Sequence, residues 1–251
     1  MSIQDQSLQS RADKYATSSA GYEGTTYGAA HLQFYRQTRN EEIGRALAES
    51  FPQQQPLRIL EVGCGTGLVL DYLCSLGAEH EVLGCDASDA MLEKARQRFE
   101  GRSNPPTLAQ ASCDDLPFPD GYCDVVVATR FIHLFSHEEK KHIYDQFRRV
   151  LKDGGIIVIE YYSRPVAWVR YYLGGRRKRE VPSAFFSHYP TAKQVRDIVG
   201  HTYTKRPVRV AGSRILFAVL GNKLLTGLVR CAASVPGLNL LVDEYLVVTR
   251  K

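Results

Sequence analysis

The chain has 251 residues, 44% of them hydrophobic and 24% charged, and a formal net charge of +5. That length suits one α/β domain or a domain with a small appendage, and the composition excludes a disordered, collagen-like or disulfide-dense chain. The mild basic excess does not by itself argue for nucleic acid.

No run reaches the roughly 20 apolar residues of a membrane span. The first twenty residues lack the apolar core of a signal peptide, so a cytoplasmic protein is expected. Six cysteines, at 64, 74, 85, 113, 123 and 231, include no C-x-x-C pair. They read as small apolar residues in a reducing compartment, and no metal site is expected.

Residues 22–51 carry a helical pattern, with Leu32, Tyr35, Ile43, Leu47 and Phe51 near 3.6-residue spacing. The polar stretch PQQQP at 52–56 ends it. The chain then alternates strand and helix: strand Leu57–Val62, helix 66–76, strand Glu81–Cys85, helix 88–100 and a short strand near 107–111. The apolar run Cys123–Ala128 reads as a parallel strand covered on both faces. Ser136 and Glu139 form an S-x-x-E capping box that opens a helix over 137–151. Asp153-Gly154-Gly155 reads as a turn, with a fifth strand over Ile156–Glu160. This alternation predicts an α/β fold around a parallel sheet.

The rhythm then breaks. Residues 161–190 are aromatic and basic without a clean period. A helix over 191–200 capped by Thr191, a strand region Arg206–Leu220, an apolar-faced helix over 222–235 and a terminal strand Glu244–Thr249 complete the reading.

The sharpest feature is ILEVGCGTG at 59–67, a buried strand running into a glycine-rich turn and a helix. Glycine permits positive φ and close approach of a ligand, and free N–H groups at the helix start face the crevice where open α/β sheets bind ligands. The spacing is G-x-G-x-G, unlike the dinucleotide G-x-G-x-x-G, which disfavours a nicotinamide dehydrogenase. Glu61 precedes the turn, and Asp86 ends the next strand 19 residues beyond Gly67, where a carboxylate can accept hydrogen bonds from vicinal ribose hydroxyls. The plainer reading of Asp86 is a helix cap, since Ser88 and Asp89 follow it.

Four segments in order, ILEVGCGTG, GCDASDAMLEKAR (84–96), DDLPFPDGYCDVVVA (114–128) and LKDGGIIVIE (151–160), resemble the class I S-adenosylmethionine-dependent methyltransferases. The resemblance is to the type 11 group, which includes the ubiquinone/menaquinone C-methyltransferases. It implies a Rossmann-like, doubly wound, seven-stranded sheet of order 3-2-1-4-5-7-6 with the last strand antiparallel. It divides the chain into an N-terminal tail and helical lid (1–56), a cofactor core (57–160) and the rest of the same domain (161–251), with acceptor-recognition inserts at 161–190 and 221–240.

Residue by residue, the resemblance implies that Gly63, Cys64, Gly65 and Gly67 form the turn under the methionine part of S-adenosyl-L-methionine. Glu61 would order that turn. Asp86 would hold the ribose, with Ala87 and Met91 near the adenine and Cys113 and Asp114 at its edge. The family's usual Asp is Ser112 here, which shifts the adenine amine to Asp114 or a backbone carbonyl. Thr129 and Arg130 would flank the methionine end.

The cofactor arrives activated, so the protein chiefly aligns the acceptor and excludes water. A hydroxyl acceptor also needs a base, and His133, in the loop after the fourth strand, is the candidate catalytic residue. Its other reading is structural or substrate-positioning. Tyr22, Tyr27, Tyr161, Arg164, Trp168 and His188 are the candidate substrate-binding residues, drawn from the N-terminal lid and the basic, aromatic insert. Basic and aromatic side chains together suit an anionic, ring-bearing or phosphate-bearing acceptor, although a solvated loop has the same composition.

The reading is therefore methyl transfer by in-line displacement to a small-molecule or lipid- or glycan-linked acceptor, at oxygen. Peripheral membrane contact stays open, as does the choice of monomer or homodimer. Two alternatives stand beside it: an RNA methyltransferase using the insert, and a non-catalytic cofactor-binding protein. Nucleic acid is disfavoured because no RNA-binding module and no Asn/Asp-Pro-Pro-Tyr motif is present.

Overall fold

A computed structural model describes residues 30–53, 55–162, 189–210 and 242–251. The candidate residues Tyr22, Tyr27, Arg164, Trp168 and His188, and the helix expected over 222–235, lie outside the described residues. The element order is α1 (Ala30–Ser50), β1 (Arg58–Val62), α2 (Leu68–Ser75), β2 (Glu81–Asp86), α3 (Asp89–Phe99), β3 (Thr107–Gln110), β4 (Cys123–Ala128), a 3-10 turn (Ile132–Leu134), α4 (His137–Val150), β5 (Leu151–Tyr162), α5 (Ala192–Val199), β6 (Tyr203–Val210) and β7 (Val242–Arg250).

The strands form one seven-stranded sheet of order β3-β2-β1-β4-β5-β7-β6. The first five pair in parallel, and β7 runs antiparallel to both β5 and β6. The expected strand order and the antiparallel last strand are both observed.

Alternation along the central strands divides the core into two layers. Leu60, Val62, Val126, Ala128, Ile157, Ile159 and Tyr161 face α4 and α5, where Ile143, Phe147 and Val195 meet them. Ile59, Val125, Val127, Val158, Leu246 and Val248 face α1, α2 and α3 through Ile43, Leu47, Leu73 and Leu92. Burial on both faces is why these strands read as continuous apolar runs. All five described cysteines are free and buried, and burial pushes the Cys123 thiol up to about 12.

Helix starts follow the local code. Ser136 and Glu139 cap α4 reciprocally, and Thr191 and Gln194 do the same for α5. The region read as a turn before a fifth strand is different: β5 begins at Leu151. Pairing with β4 jumps from Cys123↔Leu151 to Val125↔Ile156, so Asp153-Gly154-Gly155 is a bulge inside the ladder. Gly154 has φ +79°, and a Cβ on Gly155 would lie 2.7 Å from the Asp124 carbonyl, so the backbone approach there requires glycine. The main-chain N–H of Lys251 donates to the Gly155 carbonyl at 3.0 Å, which ties the bulge to the end of the chain.

Several buried charged side chains run against the apolar pattern, Lys140 among them. Lys140 lies on the inward face of α4 with Ile143, Tyr144 and Phe147, and burial lowers its pKa from 10.5 to about 8. In the unfolded chain it keeps its ordinary value, so between about pH 8 and 10.5 the unfolded state binds more protons and stability rises with pH. Below about pH 8 the penalty is complete, on the order of 3 kcal/mol. Lys140→Met is expected to melt higher than the parent at pH 7, with the gap closing as pH rises to 10.5. Melting curves across that range check it, and a gap independent of pH overturns the assignment.

Candidate functional site

The carboxyl ends of β1, β2, β4 and β5 meet above the sheet's centre. β1 passes into the turn at 63–67, where Gly63, Gly65 and Gly67 have φ of +73°, +54° and +80°. Three left-handed residues within five positions are accessible only to glycine without strain. The N–H groups of Gly63 and Cys64 both donate to the Cys85 carbonyl, at 2.8 and 3.0 Å, which fastens the turn to the end of β2. Gly67, which has no side chain to offer, is the N-cap of α2.

The three glycines are not equivalent. A Cβ on Gly63 would lie 2.7 Å from the Phe131 ring, and one on Gly67 would lie 2.7 Å from the Phe99 ring. A Cβ on Gly65 meets nothing within 4 Å. Gly63 and Gly67 therefore serve packing, while Gly65 borders an open cradle at the start of a helix, the setting in which N–H groups receive a polar ligand.

Asp86 stands beside that cradle. Its Oδ2 accepts from the Gly65 N–H at 2.8 Å and its Oδ1 accepts from the Ser88 N–H at 2.8 Å. Ser88, not Asp86, is the N-cap of α3, receiving the Met91 N–H at 3.3 Å. The plain capping reading of Asp86 thus fails, and the carboxylate instead clamps the two loops together. Burial raises the Asp86 pKa, and the N–H groups of Ser88 and Gly65 pull it back. Each carboxylate oxygen keeps a further lone pair for a hydroxyl.

Glu61 is buried at the end of β1, and its Oε2 has no hydrogen-bond partner among the described residues. Burial holds its carboxyl well above the usual range, opposed by the Arg39 guanidinium and the Leu70 N–H in the first turn of α2. The carboxyl therefore faces the first turn of α2. The same buried surroundings, with Glu61 and Asp86 nearby, push the Cys64 thiol well up.

Ala87 and Met91 follow Asp86, the Ala87 carbonyl accepting from the Gln110 side-chain amide at 3.2 Å and Met91 lying buried. Cys113 is buried beside half-exposed Asp114, which accepts from the Ser112 hydroxyl. The Ser112 hydroxyl thus orients the Asp114 carboxylate. Thr129 is buried at the end of β4, and Arg130 has a left-handed φ of 53°, the one such non-glycine among the described residues. His133 sits in the 3-10 turn, its ring edge-on to Tyr162 with centroids 5.1 Å apart, and Tyr162 in turn meets Tyr189 at 5.9 Å.

Tyr161 is placed differently from expectation. It is 1% exposed, stacked on Tyr245 at 6.4 Å, and belongs to the core layer under α4 and α5. Strand alternation sends it inward, and its neighbour Tyr162 stands at the crevice instead. Sequence reading also missed Arg39, Phe131 and Glu160. The i, i+4 pair Arg39 and Ile43 on the inward face of α1 was the available signal for the first of these.

The fold and the turn have known counterparts. Residues 59–155 match the methyltransferase domain family. The chain is 33% identical over 120 residues to a malonyl-[acyl-carrier protein] O-methyltransferase of Legionella pneumophila, covering 47% of this chain and 41% of that protein. It is 34% identical over 111 residues to a ubiquinone/menaquinone biosynthesis C-methyltransferase of Azotobacter vinelandii, covering 43% of each. It is 34% identical over 110 residues to a phosphatidylethanolamine N-methyltransferase of Cereibacter sphaeroides, covering 43% of this chain and 52% of that protein. Among solved structures, magnesium protoporphyrin IX methyltransferase from Synechocystis, which has S-adenosylhomocysteine bound, superposes with a TM-score of 0.61 at 16% identity, over 77% of this chain and 90% of that one.

Residues 59–155 thus carry a segment that matches a methyltransferase domain family, on a sheet topology shared with solved methyltransferases. The matched stretch is similar to the corresponding part of ubiquinone/menaquinone C-methyltransferases. The chain spans about half or less of the length of the relatives it matches. No helix among the described residues is long and apolar enough to cross a membrane.

Proposed function

We propose that the protein transfers a methyl group from S-adenosylmethionine to a small-molecule or lipid- or glycan-linked acceptor, at oxygen. The carrying observation is the cradle at Gly65, open above the turn and bordered by the Asp86 carboxylate. When bound, the cofactor supplies a sulfonium methyl already activated for in-line displacement. Gly63, Gly65 and Gly67 shape the seat for its methionine end, Glu61 orders the helix start beneath, and Asp86 receives the ribose hydroxyls. Met91, Cys113 and Asp114 border the adenine, and Thr129 and Arg130 flank the methionine end.

His133 supports oxygen as the acceptor atom. It stands half-buried at the carboxyl edge of β4, fixed by the Tyr162 ring, where a base can take a hydroxyl proton. The three relatives above act at oxygen, carbon and nitrogen at nearly equal identity, so the shared cofactor half does not select the acceptor. Acceptor choice therefore rests on His133, Tyr162 and Tyr189 together with the N-terminal lid and the inserts.

Tritiated methyl transfer from S-adenosylmethionine into a fractionated host extract tests this reading, with Asp86→Ala as control. Label is expected in the organic-extractable or polar small-molecule fraction, and loss of that label in His133→Ala supports the base. Label in RNA overturns the acceptor class. No label despite S-adenosylhomocysteine binding, in extracts from several growth states, favours a non-catalytic cofactor-binding protein.

A further inference from the structure

The helix α1 meets the sheet through charge as well as apolar packing. Ile43, Ala46 and Leu47 join the core, but one turn earlier the inward residue is Arg39, whose side chain is 4% exposed. Its guanidinium lies 3.7 Å from Oε2 of Glu160, whose side chain is 1% exposed at the end of β5. The same Oε2 accepts the main-chain N–H of Arg130 at 2.9 Å. One buried carboxylate oxygen thus joins the N-terminal helix to Arg130, the second residue of the loop after β4.

That loop leads directly to the reacting centre. Arg130 holds a left-handed backbone, which an arginine adopts only against strain. Phe131 follows and lies against Gly63 of the cofactor turn, with Phe135 packed edge-on to it at 4.9 Å. His133 is clipped to Tyr162, two residues beyond Glu160 on the same strand. A strained residue persists only where its surroundings hold it, and the Glu160 carboxylate supplies the bond that does so. A carboxylate buried to this degree needs a cation, and the guanidinium of Arg39 is beside it.

We propose that Arg39 is a positioning residue: through the Glu160 carboxylate it holds the loop 130–135, with Phe131 and His133, in place over the cofactor turn. The Arg39 charge also lowers the raised pKa of the Glu61 carboxyl, so docking of α1 is felt near the end of β1 as well as at the end of β5. The N-terminal helix is then a part of the reacting site. The proposal borrows its purpose from the methyltransferase reading, but the structural claim is tested without cofactor.

The experiment is amide hydrogen exchange on the full chain without ligand, for the parent, Arg39→Met, Arg39→Lys, Glu160→Leu and the double variant Arg39→Met/Glu160→Leu. Exchange in 130–135 is expected to quicken about tenfold in Arg39→Met while β1 and β2 keep their protection. Arg39→Lys should recover part of the protection, and the double variant should be no faster than Glu160→Leu alone. A structural role confined to docking α1 would instead quicken exchange in 30–50 and leave 130–135 at the parent rate, which overturns the proposal. Additive effects in the double variant overturn it as well. Should Arg39→Met fail to fold, Glu160→Gln decides: its carboxamide can still accept the Arg130 N–H but cannot draw the guanidinium, so parent-like exchange in 130–135 defeats the proposal. A parallel titration with S-adenosylhomocysteine is expected to show affinity about tenfold weaker in Arg39→Met. If the parent itself does not bind that ligand, the functional reading fails while the exchange result stands.

Discussion

Asp86→Ala is expected to abolish measurable S-adenosylhomocysteine binding, with affinity falling at least about a hundredfold. Two losses combine. The N–H groups of Gly65 and Ser88, each held at 2.8 Å by a carboxylate oxygen, lose their acceptor, so the two loops that frame the cradle come apart. The hydroxyls of the ribose lose their acceptor at the same stroke. Stability is also expected to drop, by about 2–4 kcal/mol, because charge-assisted bonds to backbone donors in a half-buried place are lost.

A second ligand separates the clamp from the ribose contact. Calorimetry with S-adenosylhomocysteine and its 2′-deoxy analogue should show a clear penalty for the analogue in the parent and a smaller one in Asp86→Asn. Equal binding of both ligands by the parent would remove the ribose assignment and leave Asp86 as a loop clamp alone.

The second large effect divides the glycines of one turn into two kinds. Gly65→Ala is expected to lower stability by about 1 kcal/mol, the strain of a left-handed residue, since its Cβ meets nothing within 4 Å. The methyl group projects into the cradle, so cofactor affinity should fall by about a hundredfold, and Gly65→Arg should abolish it with the fold retained. Gly67→Ala is expected to do the reverse in order of severity. Its Cβ would stand 2.7 Å from the Phe99 ring, inside a packed core, so melting should fall by more than strain alone gives, about 3 kcal/mol in total. Thermal melting and ligand titration on the same three variants check this. Equal melting of Gly65→Ala and Gly67→Ala, or parent-like affinity in Gly65→Ala, would sink the distinction.

Much of this site was legible in the residues because its causes are local. A buried strand, three glycines and a helix start lie within nine consecutive positions, and each obeys backbone sterics that need no distant partner. Ser136 with Glu139 and Thr191 with Gln194 announce their helices for the same reason, since a capping box closes within one turn. The boundary at Leu151 was not legible. Asp153-Gly154-Gly155 carries an ordinary turn signal, and only the β4 ladder on one side and Lys251 on the other make it a bulge within a continuous strand. Tyr161 and Tyr162 show a related limit: adjacent aromatics are alike in the sequence, and the phase of β5 sends one under α4 and α5 and the other to the crevice.

The amino-acid sequence by itself determined the alternating α/β order, the glycine turn with its following helix, and the acidic residue ending the second strand. The resemblance of its motifs supplied the strand order that the sheet shows, and the cofactor that the proposed function names. Tertiary structure alone decided that Asp86 clamps Gly65 and Ser88, that Phe131 packs against Gly63, and that Arg39 reaches Glu160 across 121 positions of chain. Those contacts join residues far apart along the chain. Their partners are chosen by the register of the sheet and the seating of α1, and no local spacing encodes either one.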